Sequence, residues 1–273
     1  MYPKPMRSII ILLCLATTLV SCGEYQKVLK ETDIGRKYTM ADSLFNAGKY
    51  RKSLRLYEQI VPVYRGKPEA ERLQFLYATN FYHLKDYYDA SYNYERFAIS
   101  YPKSDSAEVA AYRSVESFYN LAQAKKYTLD TQDTETALEK IQVFLTEYSD
   151  SAYQDDANAL SAELQTKLQR KDFEIAKQYL RIMDYKAAIA SFTLFVNKYS
   201  GSEFQEEAYL RRTEAAYLLA KNSVPTLVQE RLEAAKEFHR EYLKYYKDAE
   251  FSEEAEELLE KIEKDLIKEE ITS

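Results

Sequence analysis

Residue types that do chemistry are scarce in this sequence. Its 273 residues hold 2 His and 2 Cys. His83 sits just before a turn and His239 inside an apolar helical face, and neither has a Cys, His or carboxylate at a metal-ligating spacing that any other feature of the sequence supports. Half-buried packing is the ordinary role of such histidines. There is no G-x-S-x-G, no phosphate-cradling glycine loop and no H-E-x-x-H. Carboxylate runs such as EEAEELLEKIEKD alternate with lysines on helical faces, where solvation and i,i+4 pairing account for them. The expectation is therefore no catalytic residue, no cofactor, no metal and no enzymatic activity. Cys22 differs, because its surroundings give the thiol a use. It closes an apolar run, Ile9–Val20 (IIILLCLATTLV), that follows Lys4 and Arg7, and polar sequence (GEYQK) begins directly after it. Such a run has the length of a signal-peptide core and falls short of the about 20 residues that span a bilayer.

Leu19-Val20-Ser21-Cys22 resembles the bacterial lipoprotein signal: an aliphatic residue, a variable one, a small one and the cysteine. The resemblance implies that the Cys22 thiol accepts diacylglycerol, that the chain is cut before it, and that the new amino group is acylated. The alternative is an ordinary secretory signal with a cysteine at its cleavage site. On the lipoprotein reading, residues 1–21 leave as a signal peptide and take Cys14 with them, and residues 22–32 form a lipidated linker. The mature chain then has neither a free thiol nor a disulfide, so its core alone must stabilise it. Two or more acyl chains, at about 0.8 kcal/mol per buried CH2, anchor a protein without a spanning helix.

The rest of the chain must be helical. The formal net charge is −6, and loss of Lys4 and Arg7 makes it more acidic, which argues against a nucleic-acid partner. Only 5 Gly and 6 Pro punctuate the sequence, too few for a many-stranded β fold, while 26 Tyr stand beside 0 Trp. The composition is that of an all-α protein. Five stretches share a small residue followed by three large ones at spacings of 4, 3 and 4: Ser53-Tyr57-Ile60-Tyr64, Ala90-Tyr94-Phe97-Tyr101, Ala137-Ile141-Phe144-Tyr148, Ala188-Phe192-Phe195-Tyr199 and Ala235-His239-Tyr242-Tyr246. These spacings put four side chains on one helical face, the small one for close helix contact and the large ones as wedges. Ala41, Ala78 and Ala176 lie twelve residues upstream of three of them, with the turns AGKY, LKDY and IMDY between. SAYQ at 151–154 and SEFQ at 202–205 read as capping boxes. No Gly or Pro interrupts 151–183, so one long helix or two nearly continuous ones is expected there, and 251–270 reads as a terminal amphipathic helix.

The pattern resembles the tetratricopeptide repeat, best over 71–104, where Ala78, Phe81, Ala90, Tyr94, Phe97 and Pro102 occupy the signature positions. The leading small residues are 37, 47, 51 and 47 apart, so longer first helices or loops, such as KKYTLDTQD at 125–133, must take up the excess over a strict period. The resemblance implies an all-α tetratricopeptide-repeat solenoid over 33–273, with about five helix pairs at roughly 33–68, 69–103, 104–150, 151–201 and 202–248, plus a capping helix at 251–270. Repeat geometry places Gly35, Tyr38, Asp42, Phe45 and Asn46 of the first repeat, and Arg72, Phe75, Thr79, Tyr82 and His83 of the second, along a concave face. Tyr38, Asp42, Phe45, Arg72, Phe75, Tyr82 and His83 are the candidate peptide groove, with the aromatics expected to face out of the core. The alternative is a face covered by the chain's own neighbouring helices.

The lipid signal, the early start of the repeats (EYQKVLKETD directly after Cys22), the elongated repeats and the segment YPKSDSAE resemble the BamD family over essentially the whole mature chain. That resemblance implies a lipid-anchored scaffold of the β-barrel assembly machinery at the periplasmic face of the outer membrane. The C-terminal repeats would bind a BamA-like outer membrane protein and the N-terminal ones unfolded outer membrane proteins, with no single partner residue fixed by a motif. Another envelope lipoprotein with such repeats, for example a pilus or secretin pilot protein, would share these features.

Overall fold

The computed structural model describes residues 23–124, 126 and 132–272. Cys22, the segment 1–21 expected to be a signal peptide and most of the loop expected at 125–133 lie outside the described residues. Among the described residues there are twelve α-helices and no strand. They are α1 (residues 23–30), α2 (Ile34–Asn46), α3 (Tyr50–Ile60), α4 (Ala70–His83), α5 (Tyr87–Ser100), α6 (Ala107–Ala124), α7 (Gln132–Glu147), α8 (Gln154–Arg181), α9 (Tyr185–Lys198), α10 (Gln205–Lys221), α11 (Pro225–Tyr246) and α12 (Ser252–Thr272), with a 3-10 turn at Val61–Tyr64 after α3. Helices α2 to α11 form five consecutive pairs, and α12 follows as a terminal helix: a tetratricopeptide-type all-α fold. The uninterrupted stretch after Ser151 is one helix, α8, of 28 residues.

The repeat residues occupy equivalent places in all five pairs. Ser53, Ala90, Ala137, Ala188 and Ala235 are each fully buried. So are the wedges that follow, from Tyr57 and Ile60 in the first pair to His239 and Tyr242 in the fifth, whereas the fourth member, Tyr64, Tyr101, Tyr148, Tyr199 or Tyr246, is half-buried. The small residue permits contact close enough for a hydrogen bond: Ser53 Oγ donates to the Ala41 carbonyl at 2.9 Å. In the third and fifth pairs the buried alanine nearest the turn is Ala122 or Ala220, further upstream than the twelve residues seen elsewhere, because those turns are longer.

Three turns share one backbone solution. Gly48, Lys85 and Met183 occupy the same position in AGKY, LKDY and IMDY, and all three are left-handed, with φ of 70°, 60° and 64°. In the latter two the next residue caps the following helix: Asp86 accepts from the Asp89 N–H and Asp184 from the Ala187 N–H. The capping boxes expected at 151–154 and 202–205 do not form reciprocally. Ser151 and Ser202 accept from the N–H two residues on, but Gln154 donates its amide to the Leu145 and Tyr148 carbonyls. Gln205 likewise donates to Val196 and accepts from the Gly201 N–H. Carbonyls at the end of the preceding helix are close and have acceptor capacity to spare, the Tyr148 carbonyl taking the Gln154 amide beside the Ser151 N–H, and they compete successfully for the glutamine.

The chain divides into two compact units. Unit 1 takes the residues up to Ala124 together with Gln132–Ser161, and unit 2 takes Ala162 onwards. In unit 1, Tyr25, Val28, Ala41, Leu56, Tyr57, Ile60 and Leu73 form one apolar cluster, and Ala78, Phe81, Ala90, Tyr94, Phe97, Ala98 and Ala110 the next. In unit 2 a single cluster joins Phe173 and Ala176 of α8 to residues of α9, α10, α11 and α12.

Candidate functional site

All seven candidate groove residues lie in unit 1, on α2 and α4. Arg72 of α4 reaches back to α2, where its guanidinium donates to the Tyr38 hydroxyl at 2.5 Å and pairs with Asp42 at 2.8 Å. It also stands 5.8 Å from the centroid of the Tyr38 ring. The next first helix repeats the step. Arg113 of α6 donates to the Tyr82 hydroxyl of α4 at 3.2 Å, lies 5.0 Å from that ring, and pairs with Glu116. Two arginine–tyrosine rungs therefore lace α2, α4 and α6 together, each with a carboxylate beside it. Both arginines keep part of their surface in solvent, 54% of the side chain for Arg72 and 39% for Arg113.

The electrostatics follow from this wiring. Burial opposes the charge of Arg72 and of Arg113, but bonds to Asp42 with Tyr38, and to Glu116, outweigh it and hold both above the ordinary arginine value. Burial, with Glu116, pushes the Tyr82 phenol up to about 12. Asp42 also accepts from the hydroxyl of fully buried Tyr57, and burial together with that carboxylate raises Tyr57 far above the usual range. At neutral pH the face therefore presents two fixed cations, Arg72 and Arg113, and the Tyr57 and Tyr82 phenols stay neutral.

The other candidates divide by what they touch. Phe45 and His83 meet at the helix ends: the His83 ring stacks on Tyr50 at 4.1 Å and lies 6.2 Å from Phe45, while Tyr82 continues the string to Tyr87 at 5.9 Å. Burial and then Arg113 lower the His83 pKa, so its ring is neutral at neutral pH. Phe75 is placed differently from the sequence expectation. It is half-buried with its edge on the buried rings of Tyr94 and Phe97, at 5.8 and 5.4 Å, because the inner side of α4 carries it over the second wedge cluster. Its outward face is only partial. Sequence spacing also missed Tyr50, Tyr87, Arg113 and Glu116. The two tyrosines carry a signal, since each ends a turn motif of the same form, whereas Arg113 lies outside the small-and-large repeat pattern; its pairing with Glu116 recurs as Arg211 with Glu214 in α10.

Among the described residues no group of three or more His, Cys, Asp or Glu could hold a metal ion, and no described helix is long and apolar enough to cross a membrane. A separate cleft of about 340 Å³ opens over α5, α6 and α7, walled by Ile99, Val115, Val143 and Phe144 and rimmed by the Lys140–Glu95 pair.

A family model described as outer membrane lipoprotein, YfiO, matches residues 31–232. The outer membrane protein assembly factor BamD of Haemophilus influenzae is similar to the chain, with 22% identity over 239 residues that cover 83% of this chain and 89% of that protein. Since the family match takes in every helix from α2 to α10, with all the arginine–tyrosine rungs, the chain belongs to the YfiO, or BamD-type, family of outer membrane lipoproteins, stationed at the outer membrane and facing the periplasm.

Proposed function

We propose that this lipoprotein is a scaffold of the outer-membrane β-barrel assembly complex, anchored through lipid on Cys22. Unit 1 receives segments of unfolded outer membrane proteins along α2, α4 and α6, and unit 2 binds the BamA-like barrel protein. The assembly role named for the H. influenzae relative supports the reading at the level of the complex. The observation that carries the substrate site is the pair of part-exposed arginines, each on a tyrosine ring, with Phe45, His83 and Tyr50 beside them. An extended chain rich in aromatic residues can lay rings on such a surface and place its carbonyls or terminal carboxylate on the guanidinium groups. For unit 2 the support is a set of exposed apolar side chains, Ile182, Met183, Leu194, Val224 and Tyr245, each 58% exposed or more.

Site-specific photocrosslinking in intact cells tests both halves. A photoreactive residue at Asn46 or His83 is expected to capture unfolded barrel proteins, and one at Leu194 or Tyr245 the BamA-like protein. Capture of a secretin or pilus subunit from either unit would refute the assignment.

A further inference from the structure

The start of the described chain is not a free tether. Residues 23–30 are helical from the first residue after Cys22. This helix is docked, with Tyr25 4% and Val28 0% exposed in the first apolar cluster of unit 1. The Tyr25 hydroxyl donates to the Lys52 carbonyl in the first turn of α3 at 3.3 Å, and the Lys52 ammonium stands 5.1 Å from the Tyr25 ring. Gly23 precedes Tyr25 by about 3 Å along the helix axis. Acyl chains on Cys22 would hold the α1–α3 surface at the membrane interface, with almost no slack between lipid and fold.

That surface is cationic. Lys27 and Lys30 on α1, with Lys49 just before α3 and Arg51 and Arg55 in its first half, are exposed, and Lys52 is half-buried beside them. Arg51 and Arg55 are one turn apart and share a face. Among the described residues none of these six has an ion-pair partner, whereas the two carboxylates of α1 and its end, Glu24 and Glu31, are both held by Arg36 at 3.6 and 2.7 Å. Glu58, three residues beyond Arg55, is the acidic exception. The chain as a whole is acidic, at −6, with carboxylates dense in α12 instead, so this cluster runs against the overall charge.

We propose that the basic surface of α1 and α3 is a second membrane contact, docking on anionic phospholipid headgroups beside the acyl chains and fixing the orientation of unit 1 on the membrane. The proposal rests on Cys22 being the lipid acceptor. A basic cluster and an acyl anchor are the two signals that together hold a peripheral protein firmly, and each cation near an anionic bilayer adds roughly fivefold in partitioning.

The lipidated protein is reconstituted into vesicles of phosphatidylethanolamine alone, or of phosphatidylethanolamine with phosphatidylglycerol. It is then treated with a water-soluble amine reagent and read by mass spectrometry. Lys27 and Lys49 are expected to react about tenfold more slowly, relative to Lys247, on the anionic vesicles, and to recover at 1 M salt, where screening acts within about 3 Å. Arg51→Glu with Arg55→Glu should abolish the protection with an unchanged circular dichroism spectrum. Equal reactivity on the two kinds of vesicle, with Cys22 acylated, refutes the basic contact and leaves the anchor standing. An unmodified Cys22 in the same mass spectrum overturns the anchor and the proposal together.

Discussion

Asp42 and Arg72 are partners in one ion pair, yet removing them should have unequal effects. Arg72 is 54% and Asp42 21% exposed in its side chain, and an ion pair of that exposure contributes about 0.2–1 kcal/mol. In Arg72→Ala, Asp42 keeps its bond from Tyr57 and water reaches its other oxygen, so the loss should stay under about 1 kcal/mol. Asp42→Ala strands the Tyr57 hydroxyl on a residue that is 0% exposed, and an orphaned buried hydroxyl costs about 1–3 kcal/mol. Urea denaturation should therefore rank Asp42→Ala below Arg72→Ala by about 1–2 kcal/mol. Adding Tyr57→Phe to Asp42→Ala removes the orphan and should recover most of the difference. The guanidinium is the part free to serve a ligand, so Arg72→Ala should weaken binding of a barrel-derived peptide by roughly tenfold, the value of one charge-assisted hydrogen bond. If both single variants lose the same stability, Arg72 is a core bridge. If peptide binding is unchanged in Arg72→Ala, the rungs have no part in recognition.

Other consequences of the fold can be measured in the same way. Met183 is left-handed and 72% exposed, so Met183→Gly should stabilise by about 0.5–1 kcal/mol, while Gly48→Ala, where an added Cβ meets no atom within 4 Å, should destabilise by about 1 kcal/mol from backbone strain alone. Equal and negligible effects would remove the common turn geometry. Ala188→Leu should cost about 1–3 kcal/mol by overpacking a fully buried contact, against under about 0.5 kcal/mol for exposed Glu256→Gln, as read by urea midpoints. Burial lowers the pKa of His239, whose Nε2 has no partner. Both states are neutral well above the unfolded value of about 6.5, and as pH falls below it the unfolded chain takes up a proton that the fold refuses. Stability should drop between pH 7.5 and 5.5, and His239→Phe, which restores the aromatic type found there in other repeats, should flatten part of that slope. An unchanged slope would show that another group controls it.

Local spacing was enough to determine the helical class and the five-fold register. Residues 3 and 4 apart share a face whatever the helix packs against, so Ala90, Tyr94 and Phe97 could be recognised as one buried set before any partner was known. The burial of the wedges follows from the same periodicity, the lack of Gly and Pro over 151–183 left room for the long α8, and the cysteine at the end of its apolar run needs only primary structure to be noticed. What a helix face meets is decided by residues far away in the chain. Phe75 was assigned to the outside because its position in the repeat is an outward one, and only the packing of α4 on α5 places its edge on Tyr94 and Phe97. The rung from Arg113 to Tyr82 joins residues 31 apart with no repeated spacing. Gln154 and Gln205 had the right offset for a capping box, but the carbonyls of the preceding helix end, brought within reach only once the turn is folded, offered the better acceptors. Helix α1 is the sharpest case. Its short polar sequence suggested a linker, and the pocket that buries Tyr25 and Val28 exists only after α2, α3 and α4 have come together.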